Sequence, residues 1–245
     1  MNKKQLIGDR APRRAGPPGL KRAARGLAAG IAALTVIGFG AAGLAPVAKA
    51  EGTLRIAMTA SDIPLPNGQT DQGAEGMRFM GYTVFEALIG YDLSSAEKPV
   101  TLVPGLATEW AVDPKDQTKW IFKLRPGVTF HDGSPFNADA VIWNFDKILN
   151  ESAPQFDKRQ AAQGRGRIPT IAGYKVIDEY TVEFTTKAPD ALIPFQIAWI
   201  VMSSPAQWTA TGSWDEFVKK PSGTGPFMVE SYVPRERAVL APNKA

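Results

Sequence analysis

Three features of this sequence predict an α/β fold built with β-hairpins. Runs of two-residue apolar alternation are bounded by Pro/Gly turns, as at 118–130 and 227–241. Two stretches, 77–89 and 138–149, carry apolar residues at helical spacing. Strands and helices follow one another with no internal repeat and no strict βαβ rhythm, which leaves α+β open as the rival class.

The chain begins with a leader. Residues 1–25 are basic and include Arg13-Arg14 and Lys21-Arg22, and no residue from Gly26 to Ala48 is charged. The run closes on Ala48-Lys49-Ala50, a small-x-small exit before Glu51. Basic start, apolar middle and small-residue exit are the signature of a signal peptide over 1–50, and they predict export to the periplasm. The rival is a retained membrane anchor, because the uncharged run exceeds the roughly 20 residues that span a bilayer. Its Ala and Gly content and the placed cleavage pattern favour removal. Arg13-Arg14 lacks the apolar follow-on of a twin-arginine signal.

The leader accounts for the basic charge. It holds nine of the 28 Lys/Arg and one of the 24 Asp/Glu, so the remainder carries 19 basic and 23 acidic groups. A nucleic-acid partner is therefore not supported. With no cysteine and one histidine, His131, thiolate chemistry, disulfides and sites needing two imidazoles are excluded.

In the 195 residues after the leader the elements read in order. Leu54, Ile56 and Met58 alternate as a strand over Thr53–Met58. Ser61–Gly76 is a polar, Pro/Gly-rich loop. Met77, Met80, Val84 and Leu88, with Phe85 and Ile89, predict a helix that Gly90 ends. Residues 118–130 predict a hairpin: Trp120, Phe122 and Leu124, a turn at Arg125-Pro126-Gly127, then Val128 and Phe130. A second turn falls at His131-Asp132-Gly133. Asn137 caps a helix whose apolar face is Val141, Ile142, Phe145, Ile148 and Leu149. Glu151–Arg167 reads as an exposed excursion. Tyr174–Thr186 reads as two strands around Asp178-Glu179. Ala191–Met202 is too short to span a membrane and predicts a buried helix interrupted by Pro194. A brief helix over Trp214–Lys219 is capped by Ser213. Strands at Phe227–Val233 and Ala238–Ala241 follow the Gly223-Thr224-Gly225-Pro226 turn.

No catalytic constellation stands out. There is no Gly-x-Ser-x-Gly elbow, Ser203-Ser204 has no evident base, and Gly164–Arg167 and Gly223–Gly225 lack phosphate-loop spacing. His131-Asp132 fits a turn with a local Asp cap better than half of a metal site. Asp113, Asp116 and Asp132 are not spaced for calcium. Trp120 and Trp143 read as core, whereas Trp199 and Trp208 flank the apolar segment as core or as the wall of a ligand cleft.

Four motifs carry a family resemblance. Val103–Trp110 resembles a P-x-L-A-x-x-W segment, and Trp120–Val141 resembles a longer signature. Thr83–Leu88 matches an aromatic-Glu-x-Leu pattern, and Ser222–Phe227 matches a G-T-G-P-[FY] turn. Together they resemble family 5 solute-binding proteins of peptide-type ABC importers. The resemblance implies a class II, periplasmic-binding-protein-like clam-shell. Residues 51–90 and 220–245 would form the main sheet of the first lobe, and 91–219 its extra subdomain. Family members run on for about as much chain again, so the sequence resembles the amino-terminal portion, with the second lobe absent.

The implied function is capture of a small solute, a short peptide by first expectation, and delivery to permease subunits in the inner membrane, by a monomer without enzyme activity, cofactor or metal. A chelated metal, an opine or a sugar is the alternative within the family. Outside it stand a membrane-anchored interaction module and an exported hydrolase. The ligand-contact candidates carried over are Gln72, Gly73, Ala74, Glu75 and Gly76, before the first helix, and Thr224 in the glycine turn.

Overall fold

The structure, a computed structural model, describes residues 52–59, 65–69 and 76–244. The leader lies outside the described residues, as do Gln72, Gly73, Ala74 and Glu75.

The core is an antiparallel sheet of four strands in the order β3-β4-β6-β5, formed by β3 (Ala107–Val112), β4 (Lys119–Leu124), β5 (Ile171–Asp178) and β6 (Thr181–Thr186). Trp120, Phe122 and Leu124 alternate along β4, and Val182 and Phe184 along β6. Trp120 pairs with Phe184 and Phe122 with Val182, so the apolar residues of both strands meet on one face. Helix α2 (Ala138–Leu149) covers that face with Val141, Phe145 and Ile148, at i, i+4 and i+7. Phe145 lies 4.6 Å from Phe184 between ring centroids. Asn137 starts the helix as expected, its side chain accepting from Ala140 N at 3.0 Å.

The β5–β6 pair and the terminal hairpin, β7 (Phe227–Val233) with β8 (Arg237–Pro242), form where the alternation placed them. Ser213 caps Trp214–Phe217 (α6) by accepting from Glu216 N at 3.2 Å.

Five expectations are corrected. Among the described residues Thr53–Met58 pairs with no strand, and Leu54 is 83% exposed. The helix from Met77 is short: a wide turn, Met77–Gly81, continues as Tyr82–Val84 (together α1), and Ile89–Tyr91 is a strand, β1, paired with β2 (Leu102–Pro104). Phe85–Leu88 leaves the helix because its backbone is hydrogen-bonded from two sides. Met202 N reaches Glu86 O, while Leu106 N reaches Ala87 O and Ala107 N reaches Leu88 O. The hairpin expected across Arg125-Pro126-Gly127 is replaced by non-local pairing of β4 with β3 and β6. Val128–Phe130 instead folds onto Ser134–Phe136 about the His131-Asp132-Gly133 turn.

Glu151–Arg167 is not a bare excursion. Asp157 caps helix α3 (Lys158–Gly164), which runs into a 3₁₀ turn, Arg165–Arg167, and Gly164 packs against Ile148. Finally, Ala191–Met202 is helical only over Ile193–Ile197 (α4), with Pro194 in its first turn. Val201 bridges to Ala87, and Ser204 then caps a helix missed in the sequence, Pro205–Thr211 (α5). Among the described residues no helix is long and apolar enough to cross a membrane.

Candidate functional site

The sequence motifs converge on the chain that leaves α1. Gly225 N donates to Val84 O at 3.0 Å. A Cβ on Gly225 would stand 2.5 Å from Thr83 O, and one on Gly223 would strike Val84 O. Gly105 approaches from the other side: a Cβ there would stand 2.6 Å from Ala87 O. Glycine is needed at all three because backbone lies directly against backbone.

His131 fastens the same turn. Its backbone N–H donates to Gly223 O at 2.8 Å, and Gly223 N donates to the ring at Nδ1, 3.3 Å away. That leaves the ring proton on Nε2, which donates to Gly225 O at 2.9 Å. Burial lowers the pKa of the ring, partly offset by the Gly225 carbonyl and by Asp132. Asp132 accepts from Ser134 N at 2.9 Å, from Ser134 Oγ at 2.6 Å and from Ser204 Oγ at 2.5 Å. The expected turn with a local Asp cap is what forms. Ser203 and Ser204 are engaged in packing bonds, and among the described residues no group of three His, Asp or Glu side chains is placed to hold a metal ion.

Of the six candidate contacts, two are described. Gly76 is buried at the start of α1, and Thr224 is buried in the turn against that helix's end, so the two mark opposite ends of α1. Thr224 Oγ1 is buried beside the Glu86 carboxyl. Burial raises the pKa of the neighbouring Glu86 carboxyl, with the Thr224 side chain and Arg125 pulling the other way.

A second cluster went unseen in the sequence. Asn67, Gly68 and Gln69 are all buried. Gln69 Nε2 donates to Trp199 O at 3.1 Å, and Gln69 N donates to Gln160 Oε1 at 3.3 Å. Ser203 Oγ donates to Asn67 O at 3.3 Å. Gly68 has φ of +100°, and a Cβ there would strike Ser203 Oγ and stand 3.1 Å from Lys147 Nζ. Lys147 is fully buried; its Nζ donates to Asn144 Oδ1 at 2.7 Å, Ser203 Oγ at 3.0 Å and Val201 O at 3.3 Å. Burial brings its pKa down to about 7 against the pull of Asp157. The available signal was Ala140, Asn144 and Lys147, a polar-tolerant stripe at i, i+4 and i+7 beside the apolar face.

The tryptophans divide. Trp143, Trp208 and Trp214 pack together, with 5.8 Å between the Trp143 and Trp208 rings and 6.2 Å between Trp208 and Trp214. Trp199, half-buried against the same cluster, lies beneath the Arg167 guanidinium.

Comparison with known proteins places this arrangement. Residues 101–245 match the bacterial extracellular solute-binding proteins, family 5. The chain is 31% identical over 172 residues to a protein described as di/tripeptide-binding protein 4 of Pseudomonas aeruginosa (strain UCBPP-PA14), covering 61% of this chain and 30% of that protein. It thus spans about a third of the length of such relatives. Two solved structures share the fold. One is a periplasmic binding protein, DppA, from Helicobacter pylori with the peptide STSA (TM-score 0.60, 23% identity, 77% of this chain and 37% of that one). The other is a dipeptide binding protein from Pseudoalteromonas sp. SM9913 with Met-Leu (TM-score 0.62, 21% identity, 74% and 38%). The motif clasp around α1, the α/β architecture and the match over 101–245 agree: the chain belongs to the bacterial extracellular solute-binding proteins, family 5.

Proposed function

We propose that this chain supplies part of the solute-capturing component of an ABC importer, that its solute is a short peptide, and that it delivers that peptide to permease subunits in the membrane. The observation that carries the reading is the 31% identity to a di/tripeptide-binding relative, within a family of solute-binding proteins. Capture would proceed by enclosure between lobes, without bond-breaking. In this reading residues 51–90 and 220–245 belong to the main sheet of the first lobe and 91–219 to its extra subdomain. The protein acts as a monomer in the periplasm after removal of residues 1–50.

We place the peptide-facing segment at Gln72–Gly76, with Thr224 as a further contact. The chain is fixed on both sides of residues 70–75: Gln69 is bonded to Trp199 and Gln160, and Met77 is buried in the α1 packing.

Native mass spectrometry of the protein purified from its source cells tests the ligand class. A co-purified short peptide is expected, and a non-peptide solute in its place overturns the reading. Amino-terminal sequencing tests the location: a mature start at Glu51 is expected, and an intact amino terminus in the membrane fraction contradicts it.

A further inference from the structure

Five stretches of chain meet at Trp199. The Arg167 guanidinium lies over the indole, 4.1 Å from the ring centroid. Tyr91 meets the same indole edge-on, with 6.3 Å between centroids. Both neighbouring phenols are spent on the main chain: Tyr91 OH donates to Phe195 O at 2.9 Å, and Tyr82 OH donates to Ala198 O at 3.0 Å. Gln69 Nε2 holds Trp199 O from behind. The ring is thereby fixed in position while remaining half-buried, and Arg167 above it is exposed.

Arg167 differs from the other arginines nearby. Arg159 pairs with Asp157 and Asp215, and Arg165 pairs with Glu151. Among the described residues no carboxylate pairs with Arg167. A guanidinium stacked on an aromatic ring keeps a fork of N–H donors at its edge, and that fork matches the two oxygens of a carboxylate. The indole beneath it and the Tyr91 ring beside it offer an apolar wall, the combination typical of a small-ligand site.

We propose that Arg167 and Trp199 form a carboxylate subsite: Arg167 takes the carboxylate of a small acid or peptide in a bidentate bond, and the Trp199 and Tyr91 rings take the apolar group next to it. The proposal rests on the solute-capture reading above and deepens it by naming the recognised group. It also turns the sequence alternative for Trp199, core or cleft wall, towards the wall.

The test is a titration of the ¹⁵N-labelled chain, following the Trp199 indole N–H and the Arg167 Nε–H, with dialanine, dialanine amide and succinate as probes. Trp199→Phe assigns the indole signal. Dialanine and succinate are expected to shift both signals saturably, and the amide to leave them in place. Arg167→Gln is expected to weaken both ligands at least tenfold, and Arg167→Lys to restore part of the loss. Because Arg167 is exposed, these variants keep the fold. If succinate shifts the pair and dialanine shifts nothing anywhere, the carboxylate subsite stands and the peptide reading falls. If dialanine shifts only signals elsewhere, the subsite falls and the peptide reading stands. No shift from any probe, equal shifts from dialanine and its amide, or unchanged affinity in Arg167→Gln overturns the subsite.

Discussion

Lys147 Nζ donates to Ser203 Oγ across 3.0 Å, and Ser203 Oγ in turn donates to Asn67 O at 3.3 Å. One buried amine thus ties α2 to the Val201–Ser203 chain and, through Ser203, to the chain that precedes residues 70–75. The amine holds its proton less tightly when folded, with a pKa of about 7 against 10.5 for a free lysine. Between those values the unfolded chain carries a proton that the native state has released, so stability rises with pH across that window. The largest slope one such group contributes is about 1.4 kcal/mol per pH unit. Urea unfolding of the wild type and Lys147→Met from pH 6 to pH 10 measures it. The wild type is expected to gain steadily on the variant above pH 7, and parallel curves would contradict the assignment.

His131 is expected to act in the same direction over a lower window. Its folded pKa lies below the ordinary 6.5, so its contribution is present above 6.5 and is lost as pH falls towards the folded value. Protonation removes the Nδ1 acceptor that Gly223 N uses. His131→Ala leaves Gly223 N without that acceptor and Gly225 O without its ring donor, at a cost of about 1–3 kcal/mol. Chemical denaturation at pH 7.5 is expected to show that cost, and the gap between wild type and variant is expected to narrow by pH 5.

These two residues also mark how far the sequence could be read. Elements closed by local chemistry were legible: the Asn137 cap, the β5–β6 turn at Asp178-Glu179, and the β7–β8 hairpin. Elements decided by distant chain were not. The alternation of Trp120, Phe122 and Leu124 identified a strand, but its partners lie in β3 and β6 rather than across the adjacent Pro-Gly turn. Leu88 and Ile89 kept helical spacing while Gly105, Leu106 and Ala107 drew them into extended chain. Lys147 was invisible because a lysine beside an apolar stripe normally snorkels to water, and only Asn144, Ser203 and Val201 make its burial tolerable. The motifs identified the family correctly, and His131, Gly223 and Gly225 turn out to hold one another, while Gly105, Gly223 and Gly225 pack against the chain leaving α1.

That mutual packing makes the glycines unequal. A methyl group at Gly225 would stand 2.5 Å from Thr83 O and 2.7 Å from Val84 C, both backbone atoms that cannot rotate away. Gly225→Ala is expected to cost about 3 kcal/mol or more, or to prevent folding. Gly127 also has a positive φ, of +75°, but no atom lies within 4 Å of the site of an added Cβ. Gly127→Ala is therefore expected to cost only about 1 kcal/mol, from backbone strain alone. Thermal melts of the two variants side by side separate close approach from torsional strain.

The tryptophan trio offers a final contrast, because the buried Trp214 and the half-buried Trp208 share one cluster with different hydrogen-bond states. Trp214 Nε1 donates to Gln155 O at 2.8 Å. Trp208 Nε1 is buried and has no partner among the described residues. Each indole N–H left unpaired in the folded state has given up water without compensation, so replacing it by a ring without that donor relieves a cost. Trp208→Phe loses ring contacts with Trp143 and Trp214 but removes an unsatisfied donor, and the net change is expected within about 1 kcal/mol. Trp214→Phe loses comparable ring area and also strands the Gln155 carbonyl beneath α6, so it is expected to be worse than Trp208→Phe by about 1–2 kcal/mol. Urea midpoints for the two variants give the comparison directly. Equal destabilisation would mean that ring packing alone sets the cluster's stability and that the Trp214–Gln155 bond adds nothing net.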